Sequence, residues 1–155
     1  MMPSAYVEIA PCAALGAITG SAAPGAALLE ASGPIEDDDH ILVLGGQGPE
    51  LMCALLRAGA TNVTHLRTDE RPEPDSASLV IIPRVPSLDW LATTLQSVRR
   101  ALTAHGRLVL HAGPQPTIQT GIRRMLKLHG MTAIHARTTP DGTILSAGLR
   151  SRHTA

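Results

Sequence analysis

The chain has 155 residues and a formal net charge of zero, with 13 Lys plus Arg against 13 Asp plus Glu; 44% of it is hydrophobic but only 1% aromatic. A chain of this length fits one domain that buries about 68–70% of its unfolded surface, and 17% charged residues beside that apolar content exclude a wholly disordered protein. Two cysteines, Cys12 and Cys53, exclude both a disulfide framework and a four-cysteine zinc site.

Residues 1–40 form an Ala/Gly-rich helical cover that ends in an acidic loop. Two short helices are expected, Cys12 to Thr19 and Pro24 to Ala31, with Pro24 in a first helical turn and Gly33 as a stop. The uncharged run from Ile9 to Leu29 has the length of a membrane span. It is made of small residues and has no flanking Lys or Arg, so it reads as helix and turn. Met1 to Val7 carries no basic residue, as a secretory signal would. A soluble, cytoplasmic protein is expected. Glu36-Asp37-Asp38-Asp39-His40 reads as a solvated loop.

Residues 41–150 follow a regular pattern, and 151–155 are a tail. Ile41 to Leu44 is an unbroken apolar run, the mark of a strand buried on both faces. Gly45-Gly46-Gln47-Gly48 follows, then a helix from Pro49 to Ala58 stopped by Gly59. Asn62 to Leu66 is a second strand, and Thr68 to Ser76 a polar loop. Leu79 to Ile82 is a third strand. Ser87 then reads as an N-cap, with Leu91, Leu95, Val98 and Leu102 at helical spacing and Gly106 ending the helix. Leu108 to Leu110 is a strand and Thr117 to His129 a helix. Met131 to Ala136 and Thr143 to Leu149 flank Pro140-Asp141-Gly142, a strong hairpin turn. Alternating strands and helices predict a mostly parallel α/β sheet, covered by helices on both faces and closed by an antiparallel hairpin.

This order resembles that of the class I S-adenosylmethionine-dependent methyltransferases, a Rossmann-like fold, over roughly residues 41–150. The strand-loop-helix from Ile41 to Pro49 resembles the family's glycine-rich first motif, and Ser78 to Ile82 its fourth strand. Val98 to Leu110 is similar to its next helix and strand, and the hairpin around Pro140-Asp141-Gly142 to its last two strands. The resemblance implies one strand unit missing and a strand order 2-1-4-5-7-6 in the family's labels. It implies S-adenosylmethionine as cofactor, against Gly45, Gly46, Gln47 and Gly48, the second strand's end at Arg67, and the fourth strand's end at Pro83 and Arg84. Glu50 near the helix start would repel a phosphate, which favours a phosphate-free cofactor over a dinucleotide. The dinucleotide pattern also fails, because Leu51 replaces its final glycine.

The sequence departs from the family in three places. On a Gly-x-Gly-x-Gly frame from Gly45, the second glycine becomes Gln47 and the third Pro49. The ribose-binding acid falls on Arg67, which has only donors, with Asp69 and Glu70 just beyond. Pro83-Arg84-Val85-Pro86 lacks the acid or amide and the aromatic used to methylate base amino groups, which excludes that subclass.

Two functions follow: methylation of a small molecule, or a non-catalytic relative serving as a binding subunit for a protein or a second copy of itself. Seven histidines show no metal-ligand spacing, so no metal is expected. His111 stands apart at a strand's carboxyl end, where ligands bind. Arg123, Arg124 and Lys127 share a helix face. Of the aromatics only Tyr6 and Trp90 could stack on a flat ligand, and neither lies in the glycine loop. That scarcity argues against single-stranded nucleic acid. The neutral total hides a split: residues 1–56 hold seven acids and no base, and the remainder is +7. This pattern points to internal complementarity or a head-to-tail contact.

Overall fold

The computed structural model describes residues 24–45, 48–67 and 70–149. The expected helix Cys12 to Thr19 and the residues Tyr6, Gly46 and Gln47 lie outside them. Helix α1 (Pro24–Ser32) precedes β1 (His40–Leu44), α2 (Gly48–Arg57), β2 (Asn62–Leu66) and β3 (Ala77–Ile82). Then come α3 (Leu88–Ala101), β4 (Leu102–His111), α4 (Pro116–Leu128), β5 (Met131–Thr139) and β6 (Gly142–Leu149).

The six strands form one sheet in the order β2-β1-β3-β4-β6-β5. This is the predicted order with the family's third strand absent among the described residues. β2, β1, β3 and β4 run parallel, while β6 is antiparallel to both β4 and β5. Residues 67–76 connect β2 to β3 without a helix or strand among those described.

The unbroken apolar strands have a simple cause. Successive side chains point to opposite faces, so a sheet covered twice needs apolar residues at every position. Ile41, Val43, Leu79, Ile81 and Val109 pack with Leu28 of α1 and with Leu51 and Leu55 of α2. Leu42, Leu44, Val80, Ile82, Leu108 and Leu110 face the other way, onto Leu91, Leu95 and Val98 of α3 and Ile122 and Leu126 of α4. The described part of the amino-terminal segment is thus packed onto the sheet, with Leu28 only 1% exposed.

Ser87 caps α3 as expected, its Oγ accepting the Trp90 amide at 3.1 Å. The far end of α3 corrects the sequence reading. The helix stops at Ala101, and Leu102, expected on its apolar face, begins β4 in extended backbone. The amides of Asp75 and Ser76 donate to the carbonyls of Arg100 and Ala101 at 2.9 and 2.8 Å. Those long-range bonds satisfy carbonyls that a further helical turn would otherwise have used. Leu102 remains buried, now beside Ala77 of β3, and a register shift in β4 takes up the residues before Arg107.

The closing hairpin pairs Thr139 with Gly142 around Pro140 and Asp141. Gly142 has φ +145°, and a Cβ there would overlap the backbone of Gly113. Glycine is required because two backbones meet without an intervening side chain. Ala112 donates to the Thr143 carbonyl at 2.8 Å and Thr143 to the Gly113 carbonyl at 3.2 Å. The Gln119 amide of α4 donates to the same Gly113 carbonyl at 2.8 Å. These bonds hold the turn, the β4–α4 loop and α4 as one assembly.

Candidate active site

Parallel strands deliver their carboxyl ends to one edge of the sheet, where open α/β folds bind ligands. The register aligns the candidate residues there. Leu44 pairs with Leu66, so Gly45 and Arg67 leave the sheet side by side. Ile82 pairs with Leu110, so Pro83 and His111 do the same. The sequence-predicted residues among those described therefore share one edge but divide between two places along it.

The first place surrounds Gly45. Its φ of +94° is a conformation L side chains rarely adopt, and it turns the chain from β1 toward α2. His65 of β2 donates through Nε2 to the Gly45 carbonyl at 2.7 Å, which fixes both the turn and the imidazole tautomer. A Cβ built on Gly45 would lie 3.8 Å from Cζ2 of Trp90. The half-buried Trp90, on the first turn of α3, thus stands over the glycine turn. Sequence reading kept it apart from the glycine loop, and the fold brings the two together. No local pattern announces this, because the contact depends on the crossing of α3 over the end of β1. His65 was likewise invisible except as one of seven histidines. Gly48 opens α2, with Glu50 in its first turn. Arg67 is exposed just past β2. The Glu70 amide donates to the Arg67 carbonyl at 3.1 Å, which keeps a carboxylate residue near the strand end.

The second place is a cleft of about 390 Å³ between the ends of β3 and β4, the start of α4 and the hairpin turn. Pro83, Arg84, His111, Gln115 and Asp141 are among its lining residues. Pro83 is buried, and Arg84 is exposed with no carboxylate partner among the described residues. His111 Nε2 is shut off from solvent and meets no hydrogen-bond partner among the described residues. Burial lowers the His111 pKa below its ordinary 6.5, and the opposing attraction of Asp141 is smaller. The imidazole is therefore neutral at neutral pH.

The described residues hold no cluster of metal-ligating side chains and no helix long and apolar enough to cross a membrane. Asp39 is not merely solvated. Its carboxylate accepts the Glu36 amide at 2.8 Å and the Ser78 hydroxyl at 2.9 Å.

This topology recurs in solved structures. A putative methyltransferase from Haloferax volcanii, solved in complex with the methyltransferase activator Trm112, is 14% identical with a TM-score of 0.64. The match covers 85% of this chain and 90% of that one. The fold is that of the class I S-adenosylmethionine-dependent methyltransferases. A TehB-like methyltransferase from Corynebacterium glutamicum is 15% identical with a TM-score of 0.59, covering 96% and 99% of the two chains. A phosphoethanolamine methyltransferase from Haemonchus contortus, bound to S-adenosylhomocysteine, is 16% identical with a TM-score of 0.56. It matches 74% of this chain, which spans only 38% of that enzyme. No protein-family model and no curated protein matches the chain.

The methyltransferase fold allows the cofactor's fit to be judged on this chain's own residues. Gly45, without a Cβ, admits close approach of a ligand, and Trp90 offers an aromatic face beside it. Arg67 supplies no acceptor for ribose hydroxyls. The residues fit the flat and the close-packed parts of the cofactor better than its sugar.

Proposed function

We propose that the protein is a methyltransferase that uses S-adenosylmethionine to methylate a small molecule. The observation that carries this reading is the glycine turn at Gly45, held by His65 and covered by Trp90, on a sheet edge of methyltransferase topology. When bound there, the cofactor supplies an activated methyl group on a sulfonium. This chain's part is to bind and orient, since positioning alone contributes much of the rate in such transfers. Gly45 to Gly48 would hold the cofactor from one side, and Pro83 and Arg84, at the second place along the edge, would complete the set that the resemblance implies.

Arg67 favours a second reading, a non-catalytic relative that binds a partner protein or a second copy of itself. A guanidinium stands exposed where the fold's ribose-binding acid belongs. One ligand separates the readings. Trp90 is the single tryptophan, so S-adenosylhomocysteine bound at Gly45 should change its fluorescence saturably. At a hundredfold excess over Kd it should also stabilise the fold by about 2.7 kcal/mol. Arg67→Asp should tighten binding. Unchanged fluorescence, no calorimetric heat and no stabilisation at millimolar ligand would leave only the binding-subunit reading.

A further inference from the structure

We infer that the outer edge of β2 is a self-association surface, on which a second copy of this chain pairs antiparallel about a two-fold axis at Thr64. The inference is independent of the catalytic reading above.

β2 ends the sheet and is paired only with β1 among the described strands. The Leu66 carbonyl accepts the Gly45 amide, so it faces inward. Backbone groups alternate along a strand, which turns the N–H and C=O of Val63 and His65 outward. No described backbone group bonds to them. Edge strands are usually blunted by charge, proline or a bulge. The opposite edge is blunted in this way: β5 has a register shift between Thr132 and His135, Ala133 at φ +53° and an exposed Arg137. Asn62-Val63-Thr64-His65-Leu66 has no Lys, Arg, Asp, Glu or Pro, and its register is unbroken. Asn62 and Thr64 line a groove of about 410 Å³ whose lining includes no helical residue, so that face is open to approach.

Charge selects the occupant. At the carboxyl end of β2, Arg67 is exposed and has no carboxylate partner among the described residues. At the amino end, the Thr61 hydroxyl donates to the Asp37 carbonyl at 2.7 Å. That bond holds the exposed Glu36, Asp37 and Asp38 beside the strand's start. The two ends of one edge therefore carry opposite charge. Antiparallel pairing lays Arg67 against the partner's Thr61, beside the partner's acidic loop, and the two-fold axis repeats the match. A parallel pairing would set like charge against like. Centred on Thr64, the pairing aligns Val63 with the partner's His65 and forms about four backbone hydrogen bonds. So small a contact gives a reversible dimer with a micromolar Kd.

Sedimentation velocity of the full chain from about 5 to about 500 μM should show a monomer–dimer equilibrium that weakens in high salt. Thr64→Lys sets like charges opposite each other across the axis and should raise Kd about tenfold. Its circular dichroism should be unchanged, because Thr64 is exposed. Arg67→Glu should also weaken the dimer, and adding Asp37→Arg should restore it. Thr64→Cys should form an interchain disulfide on oxidation beyond the wild-type level, since such a pair brings the two Cα atoms to about 4.5 Å. A monomer at every concentration would overturn the inference. So would a dimer untouched by both Thr64→Lys and Arg67→Glu, which would have to form on another surface.

Discussion

His111 combines a buried, unpartnered Nε2 with a lowered pKa, and both features have consequences for stability. Leaving a polar atom buried without a partner costs about 1–3 kcal/mol. Phe has similar shape and no such atom, so His111→Phe should be neutral or more stable by about 1 kcal/mol above pH 6.5. The wild-type protein should also lose stability in a defined window. Between the lowered folded pKa and the unfolded value of 6.5, the unfolded chain holds a proton that the folded chain lacks. Stability from this group is therefore fully present above pH 6.5 and falls as pH drops through the folded pKa. Asp141 opposes the shift and Arg84 lines the same cleft, so neither change should be tested together with His111. Thermal unfolding of both proteins between pH 5 and 8 checks this: the variant should show the smaller acid slope. A larger slope, or marked destabilisation of the variant, would give His111 a structural partner instead. Such a residue is partly legible in sequence. Its strand-end position follows from Leu108 to Leu110, but the orphaned nitrogen depends on tertiary burial that no local pattern announces. Trp90 was less legible still, because its indole reaches Gly45 only through the placement of α3.

At the scale of elements, apolar periodicity was a sufficient guide wherever both faces of a strand are covered. β1 and β3, buried on both faces, differ from the reading by only one or two residues at their starts, and the half-exposed edge strand β2 spans Asn62–Leu66 as read. The end of α3 escaped because Leu102 satisfies helical spacing and strand burial equally well. Only the amides of Asp75 and Ser76, distant in sequence, decide between the two. The hairpin was legible from Pro140-Asp141-Gly142, yet its role was not. Gly142 lets the turn lie on the Gly113 backbone and so forms one wall of the cleft. Gly142→Ala brings a Cβ into that backbone at a φ few L residues adopt. It should cost about 2–3 kcal/mol. The effect should extend to the β4–α4 loop. Hydrogen exchange at Ala112 and Thr143, whose amides bond across this junction, should accelerate selectively, while amides of β1 remain protected. Uniform acceleration would mean the turn is no more than one part of a global transition.

For the whole molecule, the charge split along the chain becomes contact across the fold. Glu30 and Asp39, from the acidic part, meet Arg137 and Arg107 from the basic part at 3.0 and 4.0 Å. Complementarity is therefore internal at these points, but the two pairs differ in weight. The Glu30–Arg137 pair is exposed, at 70% and 55% for the two side chains. Such pairs contribute about 0.2–1 kcal/mol and weaken with salt. Asp39 is 15% exposed and organises the amino-terminal edge of the sheet. It holds the Glu36 amide and the Ser78 hydroxyl, and the same hydroxyl accepts the His40 amide at 3.0 Å. Arg107 in turn donates to the Ser32 carbonyl at the end of α1. The network thus ties α1, the loop before β1, β3 and β4 together. Asp39→Ala should cost about 1–3 kcal/mol, because hydrogen bonds to a charged acceptor are the strong ones. Glu30→Ala should cost about 0.5 kcal/mol or less. Denaturant unfolding at low and high salt distinguishes the causes. The Asp39 loss should persist in salt, since most of its bonds go to neutral donors, whereas the Glu30 loss should vanish. Equal losses, both abolished by salt, would mean that long-range attraction between the two parts holds the edge rather than Asp39 itself.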